Sequence, residues 1–138
     1  MTAMTSRALI ALAASNIRPH RAGDRLVGDV ASTLVTAAGS VYSGVCIDTA
    51  SGTGFCAEHA AIAAMVTAGE YRIARIVATW RSDAGELYVL PPCGRCRELI
   101  RQIDPANLDT EVVLGPNSSA PLRDLLPYHD WPDPLPAD

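Results

Sequence analysis

The sequence predicts a single-domain α/β protein in which helices cover both faces of a β-sheet. Three observations lead there. Helical and β-rich segments alternate in the order α-β-β-α-β-β-α-β-α, which suits one sheet layered with helices. Residues 72–80 are nearly continuous in apolar side chains, as a central strand buried on both faces must be. The chain has 138 residues and 49% hydrophobic content, enough to bury one real core without disulfides.

Each element follows from local chemistry. Residues 5–17 carry Leu9, Ile10, Leu12, Ala13 and Ile17 at helical spacing and stop before Pro19, which predicts a helix. The opening stretch 1–16 is Ala-rich and holds Arg7, but has no long apolar core followed by a small-residue cleavage site. It reads as a mature helix and not a signal peptide. Residues 17–28 mix Arg18, His20, Arg21, Asp24 and Arg25 with Gly and Pro, the composition of an exposed connection. Two β-rich runs, 30–36 and 41–46, flank Ala37-Ala38-Gly39-Ser40, a hairpin in which Gly39 can supply a positive φ. Residues 48–54, with two Gly and two Thr, form a loop. A helix over 56–68 then presents Ala60, Ala61, Ala64, Met65 and Ala68 as a close-packing face and ends at Gly69.

After the strand at 72–80 come a turn at 82–86 and a strand at 87–90, stopped by Pro91-Pro92. Cys96, Leu99, Ile100 and Ile103 recur at helical spacing within 93–103, and Asp104-Pro105 ends that helix. A last strand at 111–114, a short helix at 121–126 and a Pro-rich tail at 128–138 complete the chain.

Composition narrows the partners. A net charge of -4, one Phe and two Trp give neither the basic stripe nor the aromatic platform of a nucleic-acid binder. No run is long or apolar enough to cross a membrane. A small neutral or cationic substrate and a cytoplasmic location are expected. Four cysteines could make two disulfides, but nothing points to secretion, and reduced thiols point to metal binding or catalysis.

The chemistry concentrates in Cys56-Ala57-Glu58 and Pro92-Cys93-Gly94-Arg95-Cys96. Three thiolates can hold Zn²⁺ and leave its fourth position open for water, and a nearby carboxylate that is not a ligand can move that water's protons. Cys56 and the Cys93/Cys96 pair fall at predicted helix starts, where free N–H groups and the positive dipole end favour thiolates. An ion with three thiolates is already net negative and activates water poorly, so some of that charge must be damped. The dipoles supply part of this, and His59, Arg95 and Arg97 are candidates to donate hydrogen bonds to sulfur.

Cys56-Ala57-Glu58 together with Pro92-Cys93-Gly94-Arg95-Cys96-Arg97 resembles the signature of the zinc-dependent cytidine deaminase family. The resemblance spans roughly residues 30–131, including Tyr42-Ser43-Gly44 and Leu125-Leu126-Pro127, and is most like the blasticidin-S deaminase branch. It implies a three-layer α/β/α sandwich with a mixed five-stranded sheet and one Zn²⁺ per chain held by Cys56, Cys93 and Cys96. By the same resemblance, Glu58 would take a proton from bound water and deliver it to the ring nitrogen and then to the departing amine. The product would be the uracil form plus ammonia. Substrate contacts would come from Cys46, Asp48, Ala57, Asp29 and Trp131. Small members of the family are similar in forming tetramers, so a homotetramer is expected, with Tyr128 and Trp131 covering a site.

The chain departs from the family's pattern in three places. Cys46-Ile47-Asp48 stands where an Asn-x-Glu sugar clamp is usual, His59 stands for an Arg, and Gly28-Asp29 replaces an aromatic. Asp48 can still accept a hydroxyl hydrogen bond, and Asp29 is placed to meet a cationic part of a substrate. Other readings stay open on the residues alone. Cys93 and Cys96 also suit a thiol redox pair, and Cys46 as a fourth ligand would make a purely structural zinc site. Cys46 also reads as a small buried hydrophobe, and His59 as an exposed helix residue.

Overall fold

A computed structural model describes residues 4–138, so the first three residues of the stretch expected to open a helix lie outside the described residues. Helix α1 (Ser6–Ala14) is capped by Thr5, whose hydroxyl accepts from the Ala8 N–H at 3.1 Å. It is shorter than its periodicity suggests. The Ser15 hydroxyl and the Asn16 amide both turn back onto the Leu12 carbonyl, at 2.6 and 3.0 Å, and such local bonds compete with helix continuation.

The expected connection at 17–28 contains a small hairpin, β1 (His20–Ala22) paired antiparallel with β2 (Arg25–Val27). β1 is exposed along its whole length and carries no alternating pattern, and Gly23, at φ 64°, makes the turn. The next hairpin is as expected. β3 (Val30–Thr36) pairs with β4 (Val41–Val45), placing Ala31 opposite Val45 and Val35 opposite Val41. Then follow α2 (Ala57–Thr67), β5 (Ile73–Arg81), β6 (Leu87–Leu90), α3 (Gly94–Ile103), a 3₁₀ turn at Pro105–Asp109, β7 (Glu111–Gly115), β8 (Ser118–Pro121) and α4 (Leu122–Leu125).

These strands form one mixed sheet ordered β4-β3-β5-β7-β8, with β6 also on β5. Its six strands include β8, where the sequence carries no strand signal. β5 is the spine. One edge pairs antiparallel with β3 along nearly its whole length. The other edge is divided, with β7 running parallel beside Arg75 and Ile76 and β6 antiparallel beside residues 78–81.

Successive strand residues face opposite sides of a sheet, and both sides are buried here. Ile76 and Val112 join Leu34, Ala61, Ile62, Met65, Ile100 and Leu122 in a core under α2, α3 and α4. Val77 and Val113 meet Leu9, Ile10 and Ala13 of α1 on the other face. The result is the expected three-layer α/β/α arrangement. Gly44 on β4 sets how closely α2 approaches, since a Cβ there would lie 2.4 Å from the Ala60 Cβ and 2.5 Å from the Ala61 N. Only glycine fits that contact, and the Ala-rich face of α2 completes it.

Candidate metal centre

Cys56 is the residue before the first turn of α2, and Cys93 holds the same place before α3. Both are extended, with ψ of 158° and 168°, and neither uses its side chain to cap the helix. Their sulfurs are therefore free to face each other, with Sγ atoms 3.5 Å apart. Cys96 lies one turn into α3 and is fully buried, its Sγ 3.4 Å from that of Cys93. Cys56, Cys96 and His59 form a second close set, their donor atoms all within 4.8 Å of one another. The His59 Nδ1 is 3.5 Å from the Cys96 Sγ. Glu58, on the first turn of α2, is only 5% exposed.

Burial pushes the Glu58 carboxyl above the usual carboxylate range. Burial and then the charge of Glu58 raise the Cys96 thiol, and burial followed by the Cys93 thiol raises Cys56. For Cys93 burial works the other way from the outcome. Its thiol is held low because hydrogen bonds from the Cys96 backbone and from the Cys96 and Cys56 thiols outweigh it. Burial, then the nearby Arg95 guanidinium, lowers His59, favouring its neutral form. A dication among these sulfurs reverses the logic for the buried thiols, because a coordinating thiol is deprotonated outright.

The donor set fits zinc. A tetrahedral ion with metal–sulfur bonds of about 2.3 Å spaces its sulfurs roughly 3.8 Å apart. The two measured separations, 3.5 and 3.4 Å, fall a few tenths of an ångström inside that. All four cysteines are free. Cys46 does not join the other three as a fourth sulfur. Its Sγ donates to the Asp29 Oδ1 at 3.2 Å, and it clusters with Asp29 and Asp48 within 4.8 Å.

A cavity of about 430 Å³ opens beside the thiols. Cys56, Ala57, Glu58 and Cys93 line one end, and Asp29, Cys46 and Asp48 line it as well. Of the residues the sequence singled out, Trp131 is not on its wall and is 94% exposed on the tail. Neither guanidinium donates to sulfur. Arg95 reaches the Gly54 carbonyl at 3.4 Å, and Arg97 ties α3 to the Pro92 and Leu125 carbonyls at 2.7 and 3.1 Å. His59 is the one of the three that touches sulfur. Gly54, Phe55 and Leu90 also line the cavity and were not singled out. Gly54 carries a signal only in hindsight, since its Cβ would meet the Ile47 carbonyl at 2.4 Å across the Ile47–Phe55 bridge.

The family model for the cytidine and deoxycytidylate deaminase zinc-binding region matches residues 6–111. Among solved structures, a cytidine deaminase from Burkholderia pseudomallei is 30% identical with a TM-score of 0.73, over 91% of this chain and 98% of that one. The cytidine deaminase from Mycobacterium tuberculosis is 25% identical with a TM-score of 0.65, over 91% and 93%. At 22% identity and a TM-score of 0.72, over 90% and 88%, a cytidine deaminase from Bacillus anthracis shares the fold. No curated protein sequence matches the chain.

Proposed function

We propose that this chain, which belongs to the cytidine and deoxycytidylate deaminase family, hydrolyses the 4-amino group of a cytosine nucleoside, giving the uracil form and ammonia. It is a zinc-binding deaminase and hence a hydrolase; the substrate, the residue roles and the setting are our reading. One observation carries that reading: three thiols from two helix starts converge beside a single buried carboxylate.

Cys56, Cys93 and Cys96 hold the metal, and zinc bound there supplies a Lewis acid that lowers the pKa of water. Glu58 does the proton work. A carboxyl whose pKa is raised by burial sits closer to neutrality, where one group can serve first as base and then as acid. It takes a proton from water and gives it to the ring nitrogen as oxygen adds to C4, then takes the remaining proton of that oxygen and delivers it to the amine as the C4–N bond breaks. His59, against the Cys96 sulfur, withdraws charge from that thiolate. Ala57, Cys46, Asp29 and Asp48 line the cavity where base and sugar sit.

Cytidine and deoxycytidine are the first candidates, with blasticidin-S-like nucleosides next, as the Pro92–Arg97 run and the tail suggest. The chain acts as one domain, 1–138, in the cytoplasm and as a homotetramer, with Trp131 contributing from the tail. Among the described residues no helix is long and apolar enough to cross a membrane. Loss of cytosine absorbance with cytidine, deoxycytidine, cytosine and blasticidin S tests the reading. Turnover of at least one nucleoside by protein carrying one zinc per chain is expected. No reaction with any of the four overturns the substrate class, and zinc-free protein from a chelator-free preparation favours the redox pair.

A further inference from the structure

We infer that the metal centre is also an oxidant-sensitive switch: a hydroperoxide joins Cys56 and Cys93 in a disulfide, the centre gives up its ion, and a dithiol restores it. The switch regulates the deaminase centre proposed above and rests on that reading. Cys56 and Cys93 stand at the starts of different helices with their Sγ atoms 3.5 Å apart, and a disulfide needs about 2.05 Å. Both residues are extended and neither side chain caps its helix, so rotation of the two side chains can close the gap. Cys96 is also near Cys93, at 3.4 Å, but it lies inside the first turn of α3, where the helix fixes its sulfur.

Charge and access single out the same pair. Three thiolates around a dication leave the centre net negative, which keeps its sulfurs nucleophilic. Arg95 and Arg97 do not relieve that charge, since both guanidiniums are engaged by backbone carbonyls. His59 does lie against a sulfur, but that sulfur is Cys96. Cys93 is exposed, Cys56 is half-buried, and both line the 430 Å³ cavity, whereas Cys96 is fully buried and absent from its wall. An accessible thiolate with a second one in reach is the arrangement that oxidises reversibly. Cys46 also lines the cavity, but it is 4% exposed and its thiol is turned onto Asp29.

The chemistry balances with a hydroperoxide, ROOH, as oxidant. The Cys93 thiolate attacks the terminal peroxide oxygen, the O–O bond breaks, and RO⁻ leaves as ROH after taking a proton, giving the sulfenic acid of Cys93. The Cys56 thiolate then forms the S–S bond as the S–O bond breaks, and hydroxide leaves as water with a second proton. Two thiolates have lost two electrons, and the peroxide has gained them. With two of its three sulfurs bonded to each other, the centre cannot hold an ion. The link joins residues 37 apart in sequence, at the same two helix starts that zinc would join. It therefore replaces a metal crosslink by a covalent one, and the oxidised protein stays folded.

The test titrates the zinc-loaded full chain with hydrogen peroxide while a metallochromic indicator reads free zinc. Zinc is expected to leave in step with formation of the disulfide, and dithiothreitol with added zinc to reload the centre. Peptide mass spectrometry locates the link, because cleavage at Arg95 separates Cys93 from Cys96 and cleavage at Asp48 separates Cys46 from Cys56. It should find Cys56 joined to Cys93, with Cys46 and Cys96 still thiols. The oxidised zinc-free protein should also melt above the reduced zinc-free protein, which oxidative damage would not produce. Zinc retained at peroxide levels that oxidise free cysteine, release with only sulfinic or sulfonic products, a link between Cys93 and Cys96, or no gain in melting temperature would each overturn the inference. Cytidine turnover, where present, should fall with the zinc and return on reloading. A protein that never turns over cytidine yet forms the link and drops its zinc counts against the proposed reaction, because metal and disulfide decide the switch by themselves.

Discussion

Glu58 and Cys96 face each other across two helix starts, and each is buried for a reason that can be tested separately. Glu58→Gln keeps the shape and the burial but removes the transferable proton. It should retain zinc and lose deamination by about 10²–10⁴-fold, as read by metal analysis and cytosine absorbance; turnover at the original rate would remove Glu58 from proton transfer. Cys96→Ser should lose both zinc and thermal stability, and more of the latter than Cys93→Ser, because Cys96 is fully buried while Cys93 is exposed. Equal loss in the two variants would contradict that ranking. At this scale the convergent set was legible in the sequence, since spacings of two and three residues at a helix start restrict where a side chain can go. The partners of Arg95 and Arg97 were not. A long side chain's partner depends on what packs beside it, and Arg97 finds the Pro92 and Leu125 carbonyls.

The elements most legible in the sequence are those with a buried face. β3, β4, β5 and α2 appear within a residue or two of their expected bounds, because their apolar patterns face a core. Exposure hid β1 and β8. β1 is exposed along its whole length, and β8 begins with two exposed serines, so neither carries a period to detect. Packing of α2 on β4 gives the test at this scale. Gly44→Ala forces a methyl into a space where Ala60 lies 2.4 Å away, and overpacking of this kind costs about 1–3 kcal/mol. Gly39→Ala, at φ 88° but with nothing within 4 Å, should cost less, about 1 kcal/mol from backbone strain. Chemical denaturation of the two variants checks the order, and zinc content should fall only in Gly44→Ala, where α2 shifts.

For the molecule as a whole, the centre joins the starts of two helices that share the core built around Leu34, Ile62, Met65 and Ile100, so an ion there should act as a clasp. Removing zinc with a chelator is expected to lower the thermal midpoint, and adding zinc back to restore it; an unchanged midpoint would mean that the site carries little folding energy. Tyr128, Trp131 and Leu135 stand almost wholly exposed on the tail, more apolar surface than a monomer needs there. Light scattering at micromolar concentration should give a tetrameric mass, and a monomeric one would sink the proposed assembly.

Chain order and the divided edge of β5 set a schedule. The antiparallel β5–β6 pairing joins neighbours in sequence, whereas the parallel β5–β7 pairing must wait for the crossover through α3. Every sulfur of the centre, and Glu58 with them, lies before that parallel partner begins at Glu111. During synthesis from the N-terminus, β3, β4, β5 and β6 can form with both helix starts already made. The ligands can therefore meet their ion while β7, β8 and the tail are still to come, and loading need not wait for the finished sheet.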